Sequence, residues 1–228
     1  MHIISLSFDD GFRKSNLRIA EAYARFGLSA CFNVLAAAGE LNPYEQERWG
    51  SPKGEFALWN ELQARGHEIM PHGYNHTNKS EIPFAQAKDL IMRCLAIFTE
   101  KLDGFEARRA VFNFPYNPSP PELEAWLPSV VKGFRTRGPM INPLPHVGQV
   151  KLGTGGYGPG NCEAHLDSVI AELLARPSGW LIYNTHGLDE EGWGPIRATY
   201  LDALLDRLMQ IASVRVMPTA RALNELAR

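Results

Sequence analysis

Ile3-Ile4-Ser5-Leu6-Ser7-Phe8-Asp9-Asp10-Gly11 is a short, mostly apolar run closed by two carboxylates and a glycine. Its length and its turn-forming end read as a β-strand that delivers Asp9 and Asp10 to its carboxyl terminus. Adjacent carboxylates repel each other unless a cation or a proton relieves them. Successive strand side chains point to opposite faces, so both acids reach one site only where the backbone bends, as Gly11 permits. A solvated Asp-Asp-Gly turn is the competing reading of these residues taken alone.

Outward from this strand, helical and strand periods alternate. Leu17, Ala20, Tyr23, Ala24 and Leu28 recur at helical spacing with Gly27 as a stop, and 29–35 reads as a second strand. A long irregular loop over 39–54 is expected on the functional face. A helix over 56–65 stops at Gly66, and a third strand over 67–70 leads into Pro71-His72-Gly73-Tyr74-Asn75-His76. Further helices are predicted over 84–102, 122–126, 163–175 and 198–211, with strands over 110–114, 130–135, 180–185 and 214–217. Strand–helix alternation implies parallel strands with right-handed crossovers. About seven such repeats in 228 residues favour a closed or nearly closed α/β barrel, read as one domain over 1–228. Functional groups in parallel α/β architectures gather at the carboxyl ends of strands, where Asp9-Asp10, His72-His76, Pro115-Tyr116 and His186 all fall.

Composition narrows the classes. Hydrophobic residues make up 45% of the chain and charged residues 21%, which suits a packed core and not a disordered protein. A net charge of −2 and the absence of any basic run argue against a nucleic-acid surface. No stretch has the length or apolarity of a membrane span or a signal peptide, so a cytoplasmic protein is expected. Cys31, Cys94 and Cys162 are scattered, odd in number and set among apolar or helix-forming neighbours, which predicts inert buried thiols.

His72 and His76 are four residues apart, close enough for both imidazoles to converge on one metal, and a nearby carboxylate would complete a facial set with open coordination positions. His186 ends the apolar run Leu181-Ile182-Tyr183-Asn184-Thr185 on the same face, where a proton donor to a leaving amine would be needed. A satisfied structural histidine is the plainer reading of His186. His2, His67, His146 and His165 read as structural.

Taken together, these segments resemble the polysaccharide deacetylases, the NodB-homology or carbohydrate esterase family 4 group. Ser7-Phe8-Asp9-Asp10-Gly11 resembles that family's Thr-Phe-Asp-Asp-Gly motif, and Gly66-His67-Glu68-Ile69 with His72 and His76 its second motif. Asn113-Phe114-Pro115-Tyr116 matches the Pro-Tyr end of the third motif, and Thr185-His186 falls where the last catalytic histidine lies. The resemblance implies a distorted (β/α) barrel with Asp10, His72 and His76 as ligands of a divalent metal, usually zinc, with cobalt or nickel as substitutes. It implies Asp9 as general base, His186 as general acid and the backbone N–H of Tyr116 as an oxyanion donor. The implied substrate is an N-acylated sugar or glycan intermediate. Hydrolysis of a small non-sugar amide or cyclic imide on the same scaffold is the alternative, and a non-catalytic metal-containing binding protein is a third reading.

The chain departs from the family pattern at three points. Asn113 stands where the third motif begins with Arg, so the cation beside Asp9 is missing unless Arg135 or Arg137 replaces it. No Asp-x-x-Asp-Trp segment is present, which leaves Asp189, Glu190 or Glu191 as candidate partners for His186. Gly73 follows the first metal histidine in place of Ser or Thr. The glycine-rich run Gly153–Gly160 reads as a mobile loop or as a lid carrying Tyr157. Trp59 is expected in core or loop packing and Trp193 as a residue able to line the pocket, while for Trp49 packing and a pocket role stay open.

Overall fold

The computed structural model describes residues 1–41 and 52–227. Trp49 and most of the loop expected over 39–54 therefore lie outside the described residues. Among the described residues, nine strands run in chain order as β1 (His2–Asp9), β2 (Cys31–Val34), β3 (Glu68–Pro71), β4 (Val111–Asn113), β5 (Gly133–Arg137), β6 (Ile141–Asn142), β7 (Lys151–Thr154), β8 (Gly179–Thr185) and β9 (Val214–Val216). The helices are α1 (Arg13–Arg25), α2 (Phe56–Ala64), α3 (Phe84–Lys101), α4 (Pro121–Trp126), α5 (Glu163–Ala175), α6 (Ala198–Met209) and α7 (Thr219–Leu226).

The strands form two sheets, β3-β2-β1-β8-β6 with β9 beside β1, and β4-β5-β7. A parallel bridge between Gly155 and Tyr183, with the Asn184 N–H donating to the Gly155 carbonyl at 2.8 Å, joins the two sheets along β7 and β8. On the far side, among the described residues, no ladder connects β3 to β4. Side chains span that gap: Asn113 Nδ2 donates to the Pro71 carbonyl at 3.2 Å, and His72 Nδ1 donates to the Asn113 carbonyl at 3.1 Å. Seven parallel strands thus curl into an open barrel in the order β3-β2-β1-β8-β7-β5-β4, matching the expected barrel of about seven strands, although the predicted strand over 214–217 lies outside the ring and β7 takes its place. Antiparallel β6 and the short β9 lie outside that ring.

Strand β1 shows why the fold places a site where it does. Every residue of β1 is buried, as a central parallel strand requires. Ile4, Leu6 and Phe8 face the helices and join the larger core with Tyr23, Phe32 and Leu204. Ile3, Ser5, Ser7 and Asp9 form the opposite column, which runs along the barrel interior from apolar to charged. Ile3 packs with Trp180 and Leu223 of α7 at the amino end, Ser5 donates to the Met217 carbonyl, and Asp9 ends the column at the carboxyl end.

Helix α7 plugs the amino-terminal mouth, and its attachment depends on one carboxylate. Buried Glu68 of β3 accepts the N–H groups of Ala220 at 2.9 Å and Arg221 at 2.6 Å, donors that the first turn of a helix leaves without partners. Burial raises the Glu68 pKa although these two amides act in the opposite direction. Glu68→Ala is expected to lower Tm by roughly 5 °C, because two buried donors lose their acceptor at a cost of about 1–3 kcal/mol. Thermal unfolding of Glu68→Ala at wild-type Tm would show that α7 is held by its apolar face alone.

The sequence reading misses β6, β7 and α7. Lys151-Leu152-Gly153-Thr154 carries a single large apolar residue, so β7 has no period to read, and two residues of it come from the run expected to be a mobile loop. The remaining elements agree with expectation to within about three residues at their ends.

Candidate active site

The carboxyl ends of β1, β2, β5 and β8 converge on Asp9. In the β1–β2 register Asp9 lies opposite Asn33, and Asn33 Nδ2 donates to Asp9 Oδ1 at 2.7 Å. Arg135 of β5 grips the same carboxylate with both terminal nitrogens, NH1 to Oδ1 at 2.8 Å and NH2 to Oδ2, and Asn184 Nδ2 also donates to Oδ2. Burial alone would raise the Asp9 pKa, but the Arg135 guanidinium and the histidines beside it hold it below its ordinary value.

This arrangement resolves the missing motif arginine. Asn113 makes no hydrogen bond to Asp9. Its amide donates to Asn33 Oδ1 at 2.9 Å and so braces a residue that does. The cation comes from Arg135, which lies directly opposite Asn113 in the β4–β5 register. The replacement therefore enters from the neighbouring strand at the same height in the barrel, completely buried and bidentate.

Asp10 turns away from Asp9 because the backbone bends at Asp10 itself. Both Asp10 and Gly11 have φ of 73°, a left-handed conformation that is uncommon for any residue with a Cβ. Asp10 Oδ1 comes to rest 3.3 Å from Nε2 of His72 and 3.3 Å from Nε2 of His76. The oxygen is buried and has no hydrogen-bond partner. Burial would raise this carboxyl too, but His76 and Lys53 outweigh it and keep it well below the ordinary carboxylate range.

Donor atoms of Asp10, His72 and His76 lie within 4.8 Å of one another, all buried, and could hold a metal ion. Ligands placed about 2.0–2.1 Å from one ion at tetrahedral angles sit roughly 3.4 Å apart, which the two 3.3 Å separations match. His72 is also oriented as a ligand. Its Nδ1–H is committed to the Asn113 carbonyl, which leaves the Nε2 lone pair turned towards Asp10. The residues present fit a divalent cation.

Gly73, the third departure, is required by its own backbone. Its φ is 93°, and an added Cβ would lie 3.2 Å from Pro115 Cγ. A Ser or Thr in this loop would face both strain and crowding.

The site opens into a cleft of about 610 Å³ lined by Asp9, Asp10, both ligand-type histidines, Tyr116, His186 and Trp193 among others. His186 Nε2 lies 4.0 Å from Asp10 Oδ2, and the indole of Trp193 meets its ring edge-on at 6.0 Å. Burial lowers the His186 pKa, against the pull of Asp10 and Asp9. Tyr116 has φ of 60°, and its half-exposed ring meets His76 at a tilt of 47° with centroids 4.6 Å apart. A larger hollow of about 770 Å³ lies beside Leu35–Gly39 and Trp59, next to residues outside the described set, and no candidate catalytic side chain lines it. Trp59 is buried in the core, as predicted.

The three acids offered as partners for His186 do not meet it. Asp189 pairs with Arg18 at 2.6 Å and accepts the Ala198 N–H, Glu191 accepts from Ser15, and Glu190 is exposed. His186 Nδ1 is buried with no hydrogen-bond partner. Sequence reasoning also misses Asn33, Asn184 and His165. Asn33 faces inward from a strand end that carries no motif, and Asn184 lies just before the Thr185-His186 pair without being part of it. His165, expected to be structural, lines the cleft from α5 with Tyr157 stacked on it at 5.0 Å and Tyr183 Oη 2.8 Å from its Nδ1.

The comparisons with known proteins agree with this architecture. An acetyl xylan esterase of family 4 from Clostridium thermocellum, in complex with a cobalt ion, superposes with TM-score 0.64 at 15% identity over 97% of this chain and 90% of its own. The family 4 domain of a multidomain xylanase from the hindgut metagenome of Trinervitermes trinervoides gives 0.63 at 12% identity over 98% and 90%. The catalytic domain of a peptidoglycan N-acetylglucosamine deacetylase from Eubacterium rectale gives 0.58 at 16% over 95% and 88%. No curated protein sequence matches the chain significantly. Among the described residues, no helix is long and apolar enough to cross a membrane. The polysaccharide deacetylase profile matches residues 2–123, more than half of the 228, and the chain belongs to the polysaccharide deacetylase family, hydrolases of carbon–nitrogen bonds other than peptide bonds.

Proposed function

We propose that this protein removes an acetyl group from an N-acetylated amino sugar or glycan intermediate, with Asp10, His72 and His76 holding a divalent cation. Zinc is the proposed ion, with cobalt or nickel able to replace it. One observation carries the reading: a buried carboxylate oxygen without a hydrogen-bond partner lies equally close to two imidazole nitrogens. A divalent cation held by Asp10, His72 and His76 would supply Lewis acidity, which can lower the pKa of bound water from 15.7 to about 7.

The chain's own groups divide the remaining work. Asp9, whose two oxygens are fixed by Asn33, Arg135 and Asn184, is the base that takes the proton of the attacking water. The Tyr116 N–H, presented by a left-handed backbone, donates to the oxyanion, a contribution of about 3–4 kcal/mol for a preorganised donor. His186, across the site, protonates the departing nitrogen through Nε2, because an amine leaves poorly as an anion. Trp193 fixes the His186 ring and closes one wall against water. In this reading residues 1–228 act as one domain in the cytoplasm, a setting that suits three buried free thiols.

Zinc-loaded protein is expected to release acetate from N-acetylglucosamine and its oligomers, to lose that activity to a chelator and to regain it with added zinc. Hydrolysis of small amides or cyclic imides with no acetate from sugars would instead select the alternative substrate class. Metal retention without turnover of either panel would select a binding protein.

A further inference from the structure

We propose that Arg137 makes the cleft selective for amino sugars carrying an anionic oxygen group, a carboxylate or a phosphate, an assignment that rests on the deacetylase reading above. Arg135 and Arg137 are two residues apart in β5 and therefore leave the strand on the same face. Arg135 lies deep in the barrel and is consumed by Asp9, whereas Arg137, at the strand's carboxyl end, is exposed and lines the cleft. Its backbone N–H donates to the Asn117 carbonyl at 2.9 Å, which fixes the base of the side chain. Its guanidinium has no ion pair or hydrogen bond among the described residues. Elsewhere in this chain arginines are commonly paired, Arg18 with Asp189, Arg25 with Asp202, Arg197 with Glu163 and Arg207 with Asp167.

The charge balance of the cleft points the same way. Asp9 and Asp10 are the carboxylates that line it. Arg135 neutralises Asp9, a divalent cation would more than neutralise Asp10, and among the described residues no acid bonds to the buried His186 Nδ1. Arg137 then adds a positive charge that an uncharged N-acetyl sugar leaves unanswered. A guanidinium offers paired N–H donors that match the oxygens of a carboxylate or phosphate. Within a partly enclosed cleft this attraction is screened less than at an open surface.

Titration calorimetry on zinc-loaded His186→Gln protein, which suppresses turnover and keeps the Asp9–Arg135 pair, compares N-acetylglucosamine with N-acetylmuramic acid and with N-acetylglucosamine 6-phosphate. At least one charged sugar is expected to bind about ten-fold or more tightly than the neutral one, since a charge-assisted pair is roughly twice as strong as a neutral hydrogen bond. Arg137→Gln should bring the charged-to-neutral ratio close to one, and Arg137→Lys should retain part of it. Repeating the titration without zinc separates binding to the cation from binding to Arg137. The two charged probes distinguish a carboxylate from a phosphate. Equal affinity for all three sugars, or a preference that survives Arg137→Gln, overturns the assignment. Acetate release by zinc-loaded wild type from all three at equal rates would remove Arg137 alone, whereas failure of every sugar to bind would remove the deacetylase reading with it.

Discussion

Asp9→Asn protein loaded with zinc is expected to turn over about 10³-fold more slowly than wild type, within the range for loss of a general base, while its zinc content stays unchanged. The substitution keeps the shape of the side chain and removes the basic oxygen. It also places an amide where two donors converge, because Arg135 and Asn184 both point at Oδ2. A buried guanidinium that loses its carboxylate is costly, by about 3–5 kcal/mol when a buried pair is broken, so Tm should fall as well. Zinc stoichiometry and Tm measured beside kcat separate a lost base from a lost fold. The sign of the pH effect follows from the depressed Asp9 pKa. Asp9 remains ionised and able to accept a proton down through its ordinary value near 4, so any decline of the wild-type rate between about pH 5 and 7 belongs to another group. The same depression stabilises the folded state above the unfolded-state pKa and is lost as pH falls through the folded one. Wild-type rates from Asp9→Asn at full zinc occupancy would remove Asp9 from the reaction.

The fold and most of the site are legible in the sequence because one physical pattern, an apolar run ended by polar residues, marks both. Strand β1 shows this most directly: its alternation separates Ile4, Leu6 and Phe8 from the inward column ending at Asp9, and the following residues must turn. His72 and His76 are legible through their spacing, and the structure brings both to Asp10. What the sequence leaves dark depends on pairing between strands distant in the chain. Nothing near Asn113 says that Arg135 will sit across from it, since register is set by the packing of the whole sheet. Arg135 and Arg137 are equivalent candidates by composition, and only depth in the barrel distinguishes them. The His186 partner is illegible for another reason. Asp189 and Glu191 are close in sequence, yet Arg18 and Ser15 of α1 claim them first.

Asp10→Asn and His72→Ala are each expected to lower zinc affinity by two orders of magnitude or more, since losing even an outer-shell partner of a ligand typically costs about 10–100-fold. Activity should fall in proportion at limiting zinc. Asn is the better replacement at position 10, because the left-handed backbone there tolerates Asn and disfavours most other residues with a Cβ. Thermal unfolding with and without zinc provides a readout independent of turnover. An ion at 1,000 times its dissociation constant adds about 4.1 kcal/mol to wild type, and neither variant should gain comparably at the same concentration. Without zinc, Asp10→Asn is expected to unfold at or below the wild-type Tm, because, against the cost of burial, His76 and Lys53 hold the Asp10 carboxyl well below its ordinary range and its charge therefore favours the folded state at neutral pH. If zinc raises Tm equally in all three proteins, the cation binds elsewhere and the catalytic assignment of the cleft loses its basis.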